Sequence, residues 1–82
     1  MSDASNRLYM YVVYRHPRDY PNSYVVRRWW ISPHSSGPEC DPLPLAVAPS
    51  LNAIYEARVI PVGSVKQERH VLDDPAIYEV WL

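Results

Sequence analysis

Phenylalanine is absent from this chain of 82 residues, cysteine occurs once and glycine twice. Each shortage removes a class of protein. With Cys40 as the sole thiol, no disulfide can close within the chain, which excludes a disulfide-stapled secreted scaffold. Gly37 and Gly63 cannot build a glycine-rich phosphate cradle, and there is no P-loop, dinucleotide fingerprint or nucleophile elbow. No apolar run approaches the roughly 20 residues of a membrane helix. The polar start, Met1 to Asn6, lacks the basic-then-apolar layout of a secretory signal. The expectation is a soluble, cytoplasmic chain with no membrane partner. An excess of charge is also missing. The 8 basic residues against 9 acidic ones argue against a dominant nucleic-acid footprint, and equally against an acidic DNA mimic.

What is present is apolar and aromatic. Apolar residues make up 48% of the chain, enough for a packed core and against wholesale disorder. The length permits one domain, 1–82, of modest stability. Seven Tyr and three Trp account for all the aromatic rings apart from His, so each carries a polar handle. Such rings favour surfaces that are part apolar and part wet, interfaces among them.

Along the chain, residues 1–6 read as a flexible tail. Arg7 to Tyr14 is a strand, apolar on both faces and therefore suited to the sheet interior. Pro17, Asp19, Pro21 and Asn22 supply turn chemistry, and Tyr24 to Ser32 forms the second strand of an antiparallel hairpin. Residues 33–49 hold five prolines, a density that neither a helix nor a sheet ladder tolerates, and are expected to be a loop. Leu43, Leu45 and Val47 suggest that its second half packs in extended form. Ser50 is placed to cap a helix reaching Val59, with Leu51, Ile54, Tyr55 and Arg58 at helical spacing. After the Pro61–Gly63 turn comes a polar strand, Ser64 to Leu72, whose charges suit a sheet edge. Asp73, Asp74 and Pro75 make a turn before the final strand, Ala76 to Leu82. The expected class is α+β, in the order β-β-α-β-β: a four-stranded antiparallel sheet with one helix on one face.

Period-2 alternation then assigns faces. In the last strand Tyr78, Val80 and Leu82 form the more apolar set and are expected towards the helix, with Ile77, Glu79 and Trp81 opposite. In the second strand Arg27 and Trp29 share one face and Arg28 and Trp30 the other, so that strand does not disclose its orientation. Either way an Arg and a Trp face away from the helix, where Trp81, Glu79 and Tyr9 or Tyr11 are expected to join them. Trp, Tyr and Arg are the residues of interface hot spots. The candidate partner-binding residues are therefore Tyr11, Arg27, Arg28, Trp29, Trp30 and Trp81. The alternative is an ordinary amphipathic face on which Arg stacks over Trp.

Chemistry-bearing constellations are scarce. Cys40 lies between Glu39 and Asp41, whose charge raises a thiol's pKa and disfavours a nucleophile. His16, His34 and His70 are scattered, and His34 with Cys40 and Asp41 matches no zinc spacing. Asp73 and Asp74 fit a turn better than an acid–base pair. No catalytic, metal or cofactor residues are assigned, and the chain reads as a non-enzyme. Basic and aromatic residues at Arg15, Arg18 and Arg27 to Trp30 leave a weaker alternative, a single-stranded nucleic-acid binder using the sheet face.

The segment Tyr11 to Pro21, continuing to Val25–Trp29, and the ending Asp73 to Leu82 resemble small uncharacterised proteins of proteobacterial phages and prophages. The likeness spans the chain apart from its tail and proline loop and assigns no activity or residue role. Phage products of this size without a catalytic motif are similar in kind to host-defence inhibitors such as anti-CRISPR proteins. The resemblance thus implies a protein-binding inhibitor, acting in the bacterial host cell on a host protein or complex. A homodimer closed through the open face is compatible with it.

Overall fold

In the computed structural model, which describes residues 8–33, 37–67 and 75–82, the elements follow as β1 (Leu8–Arg15), β2 (Tyr24–Ile31), β3 (Glu39–Cys40), β4 (Ala46–Ala48), α1 (Leu51–Glu56), β5 (Lys66–Gln67) and β6 (Ile77–Trp81). The α+β class and the antiparallel sheet agree with the sequence reading; the four-stranded arrangement does not. Six strands share one sheet in the order β3-β2-β1-β6-β5, with β4 also beside β2. β1 is interior, as its two apolar faces require, pairing with β2 from Leu8↔Ile31 to Arg15↔Tyr24 and with β6 from Tyr11↔Trp81 to Tyr14↔Ile77.

The two additional strands come from the proline-rich stretch. Its non-proline amides bond to one strand: Asp41 donates to the Arg28 carbonyl at 3.2 Å and Leu45 to the Val26 carbonyl at 2.8 Å. Pro42 and Pro44 carry no N–H, so the ladder is interrupted between β3 and β4. Proline is excluded from a central strand but tolerated at a sheet edge. This stretch is an interrupted edge, and reading it as a loop overlooked that allowance.

The hairpin turn after β1 closes with His16 donating to the Ser23 carbonyl at 2.9 Å and Tyr20 to the Pro17 carbonyl at 3.0 Å. At the other edge Val65 and Leu82 exchange backbone bonds of 2.8 and 3.0 Å and extend the β5–β6 pairing. The expected polar edge strand thus starts at Val65. Its remainder, 68–72, lies outside the described residues, as do His34, His70, Asp73, Asp74 and the tail.

The helix is capped as expected: the Ser50 hydroxyl accepts from the Ala53 amide at 3.2 Å. It is shorter than the sequence suggests, because Arg58 takes a left-handed conformation (φ 54) and Pro61 follows. So short a helix has no stability of its own and is held by burying Ile54 against Val13 and Val26, all three fully buried. Leu51, Leu45, Val59 and Ile60 complete that layer.

One face assignment is overturned. Tyr11↔Trp81 and Val13↔Glu79 are paired, so Glu79 and Trp81 lie on the helix side together with Tyr11 and Val13. Val80 lies opposite, beside Met10 and Val12. The register shifts between Val13 and Tyr14, leaving Tyr78 as the extra residue of a bulge, turned to meet Tyr24 at 5.9 Å. Polarity misled the reading of this strand. Glu79 is 7% exposed, yet its carboxylate is fully engaged, so a charged residue occupies the covered face.

Candidate functional site

Strand pairing sets Trp30 beside Tyr9, and Arg28 beside Tyr11, on the face that carries the helix. The helix covers only the Val13–Val26 end of that face. At ~1.5 Å per residue, six residues reach about 9 Å. Tyr9, Arg28 and Trp30 stand two and four residues further along their strands, beyond its footprint, and remain half-buried. Trp81 completes the row next to Tyr11.

Side-chain contacts hold this row in place. Arg28 Nε donates to Asp41 Oδ2 at 2.8 Å and Nη2 to Oδ1 at 3.3 Å, a two-point grip on a planar carboxylate. That bond, ahead of its Coulomb attraction, raises the Arg28 pKa against the lowering effect of burial, so the charge is permanent. The guanidinium lies 4.9 Å from the Tyr9 ring centre and 5.9 Å from that of Trp30, within cation–π range. Tyr9 and Trp30 meet edge to face at 6.3 Å, and the Trp30 indole donates to Glu39 at 2.9 Å. The acidic residues flanking Cys40 therefore position the cluster. Sequence separation hides this role, because Glu39 and Asp41 reach Trp30 and Arg28 only once β3 pairs with β2.

Four of the six candidates, Tyr11, Arg28, Trp30 and Trp81, thus share one face. Arg27 and Trp29 lie on the other, as the alternation of β2 demands. There Trp29 donates to the Tyr14 hydroxyl at 3.1 Å, and Arg27 pairs with Asp19 of the hairpin turn at 2.7 Å. Met10, Val12, Ile77 and Val80 extend this side as a shallow apolar groove of about 370 Å³.

Trp81 joins the first face to a second polar cluster that the sequence did not disclose. Tyr55 donates to the Glu79 carboxylate, 2.5 and 2.6 Å from its two oxygens. The Trp81 indole donates to the same group at 3.2 Å, and Lys66 lies 3.7 Å from it. Burial first, and then the bond to Glu79, raise the Tyr55 pKa well above the usual tyrosine value. The arrangement satisfies a buried charge and ties α1 to β6.

The Cys40 thiol is pushed up chiefly by burial; Asp41 adds to the shift and Arg27 opposes it. The expected direction holds, although burial outweighs the flanking charge. Among the described residues no group of three or more His, Cys, Asp or Glu is placed to hold a metal ion. No described helix is long and apolar enough to cross a membrane. Comparison with protein-family models, curated proteins and solved structures finds no match to this chain.

Proposed function

We propose that this protein is a non-enzymatic protein-binding module that acts by occluding the surface of a larger partner. The observation that carries the reading is the Arg28 cluster. A guanidinium and two aromatic rings stand beside the helix, already fixed by Asp41 and Glu39. Tyr, Trp and Arg supply the largest share of binding energy at protein interfaces. Holding them before contact reduces the entropy lost on association. Tyr9, Tyr11, Arg28 and Trp30 form the centre of the proposed contact, with Trp81 at its border. The resemblance to phage products points to a host defence complex as the partner, in the manner of an anti-CRISPR inhibitor.

The test is an affinity pull-down of the tagged protein from bacterial lysate, with and without nuclease, read by mass spectrometry. A discrete host complex retained after nuclease supports the proposal. In that complex Arg28→Ala and Trp30→Ala are each expected to weaken binding by about thirtyfold, the effect of losing a hot spot of about 2 kcal/mol. Wild-type affinity in both variants, with their circular dichroism unchanged, would refute the assignment of this face.

A further inference from the structure

The side of the sheet away from the helix is apolar across four strands. Register sets its side chains in rows. Leu8 stands opposite Ile31. In the next row Trp29 is opposite Met10, Leu82 follows one step beyond the Tyr11↔Trp81 pair, and Val65 bonds to Leu82. Arg27, Val12, Val80 and Gln67 make the third row, and Val25, Tyr14 and Ile77 the fourth. Helix α1 lies on the opposite side, and no other helix forms among the described residues. Val12 and Val25 are buried, but Leu8, Ile31, Val65 and Leu82 are between 42% and 63% exposed. Contiguous apolar surface of this kind marks an interaction site.

The few polar side chains in these rows are bonded within the chain. Arg27 pairs with Asp19 at 2.7 Å, the Trp29 indole donates to the Tyr14 hydroxyl at 3.1 Å, and the Gln67 amide donates to the Val65 carbonyl at 3.0 Å. The one charge is thus compensated, and nothing in the rows selects a partner of either sign. A polar or charged surface docked here would lose water and gain no hydrogen bonds in return. The occupant must be as apolar and as neutral as the face itself. A second copy meets that condition, because a two-fold contact sets this surface against itself with no uncompensated like charges. The relief is suited to such a contact. A shallow groove lined by Met10, Val12, Trp29 and Val80 lies next to the exposed Leu82, a side chain of the size to enter it.

We infer that two copies of this chain pack these faces together as a two-fold dimer, sheet on sheet at about 10 Å. Each position takes about 32 Å² of the sheet plane, two rises of ~3.3 Å by one strand spacing of ~4.8 Å. The four rows therefore span roughly 400–450 Å², and side-chain relief adds to that. Two facing copies bury on the order of 1,000 Å², enough for a specific interface and well short of an obligate one. The dimer is accordingly reversible. The Arg28 cluster lies on the outer side of both copies, and the inference does not depend on the protein-binding reading of that cluster.

The experiment is sedimentation velocity of the purified chain from about 1 to about 300 μM, the range in which a modest interface dissociates. The expected result is a monomer–dimer equilibrium with no larger species, and little dependence on salt. Leu8→Glu/Leu82→Glu places a carboxylate at two exposed positions of the face. Each large apolar side chain lost from the contact is worth about tenfold, so the dissociation constant should rise by at least about a hundredfold. Val65→Glu, a single exposed change, serves as a second variant, and circular dichroism verifies that each is folded. Val62→Glu alters an equally apolar and fully exposed residue outside the rows and is expected to leave the equilibrium unchanged. Four outcomes overturn the inference: a monomer at every concentration, oligomers larger than two, a dimer that survives both face variants, or one that Val62→Glu dissociates equally.

Discussion

Tyr55→Phe isolates a single interaction, because it removes one hydroxyl and leaves the ring. That hydroxyl donates to the carboxylate of Glu79, a residue 7% exposed, at 2.5 and 2.6 Å. A hydrogen bond to a charged group is worth about 1.5–3 kcal/mol. Tyr55 itself is 40% exposed, so water can partly take the place of the lost donor. The Trp81 and Lys66 contacts also remain. The expected cost is therefore at the low end of that range, about 1.5–2 kcal/mol. At about 4–8 °C per kcal/mol for a domain this small, the midpoint should fall by roughly 6–16 °C. Urea unfolding followed by far-UV circular dichroism measures the free energy, and a thermal scan measures the midpoint. A double-mutant cycle with Glu79→Gln should give a coupling of about 1 kcal/mol between the two positions. A loss below about 0.5 kcal/mol, the ordinary range of surface substitutions, would refute the reasoning and show that Glu79 is satisfied without the tyrosine.

The same bond has a pH signature. The folded pKa of Tyr55 is raised above its ordinary 10.0, so its stabilising contribution is complete below about pH 10 and declines as the pH climbs past that value. Unfolding free energies from pH 8 to 11 should show this decline in wild type and a shallower one in Tyr55→Phe. Ile54→Ala, at the fully buried contact between helix and sheet, should cost about 2–5 kcal/mol and abolish the cooperative transition if the domain is marginal. Ser50→Ala removes the acceptor for the Ala53 amide and should cost about 0.5–2 kcal/mol, with Ser50→Gly milder, both read by urea unfolding. Asp41→Ala should loosen Arg28 and weaken partner binding by more than its effect on the unfolding midpoint.

Much of the architecture follows from short-range pattern. The aromatic and β-branched run Tyr9–Tyr14 has no polar face, and only an interior strand buries both sides of such a run. Ser50 followed by apolar residues at helical spacing fixes where the helix starts, and Pro61 sets a limit on where it ends. Alternation along β2 guarantees that Arg27 with Trp29 and Arg28 with Trp30 point to opposite faces, whatever the topology.

Other features depended on contacts between distant segments. Proline density in 33–49 argued for a loop, because local chemistry does not reveal that one strand edge is available to the amides of Asp41 and Leu45. Glu79 read as solvent-facing because its acceptors are satisfied from 24 residues away, by Tyr55, once α1 lies over the sheet. The same reversal moved Trp81 to the helix side. Tyr11, Arg28, Trp30 and Trp81 are legible as interface residue types from composition alone. Their convergence on one face required the β1–β2 and β1–β6 registers, and their rigidity required Glu39 and Asp41 to be carried alongside. Residue types and periodicity are properties of the chain. Which faces coincide, and which buried charges find partners, are properties of the packed sheet.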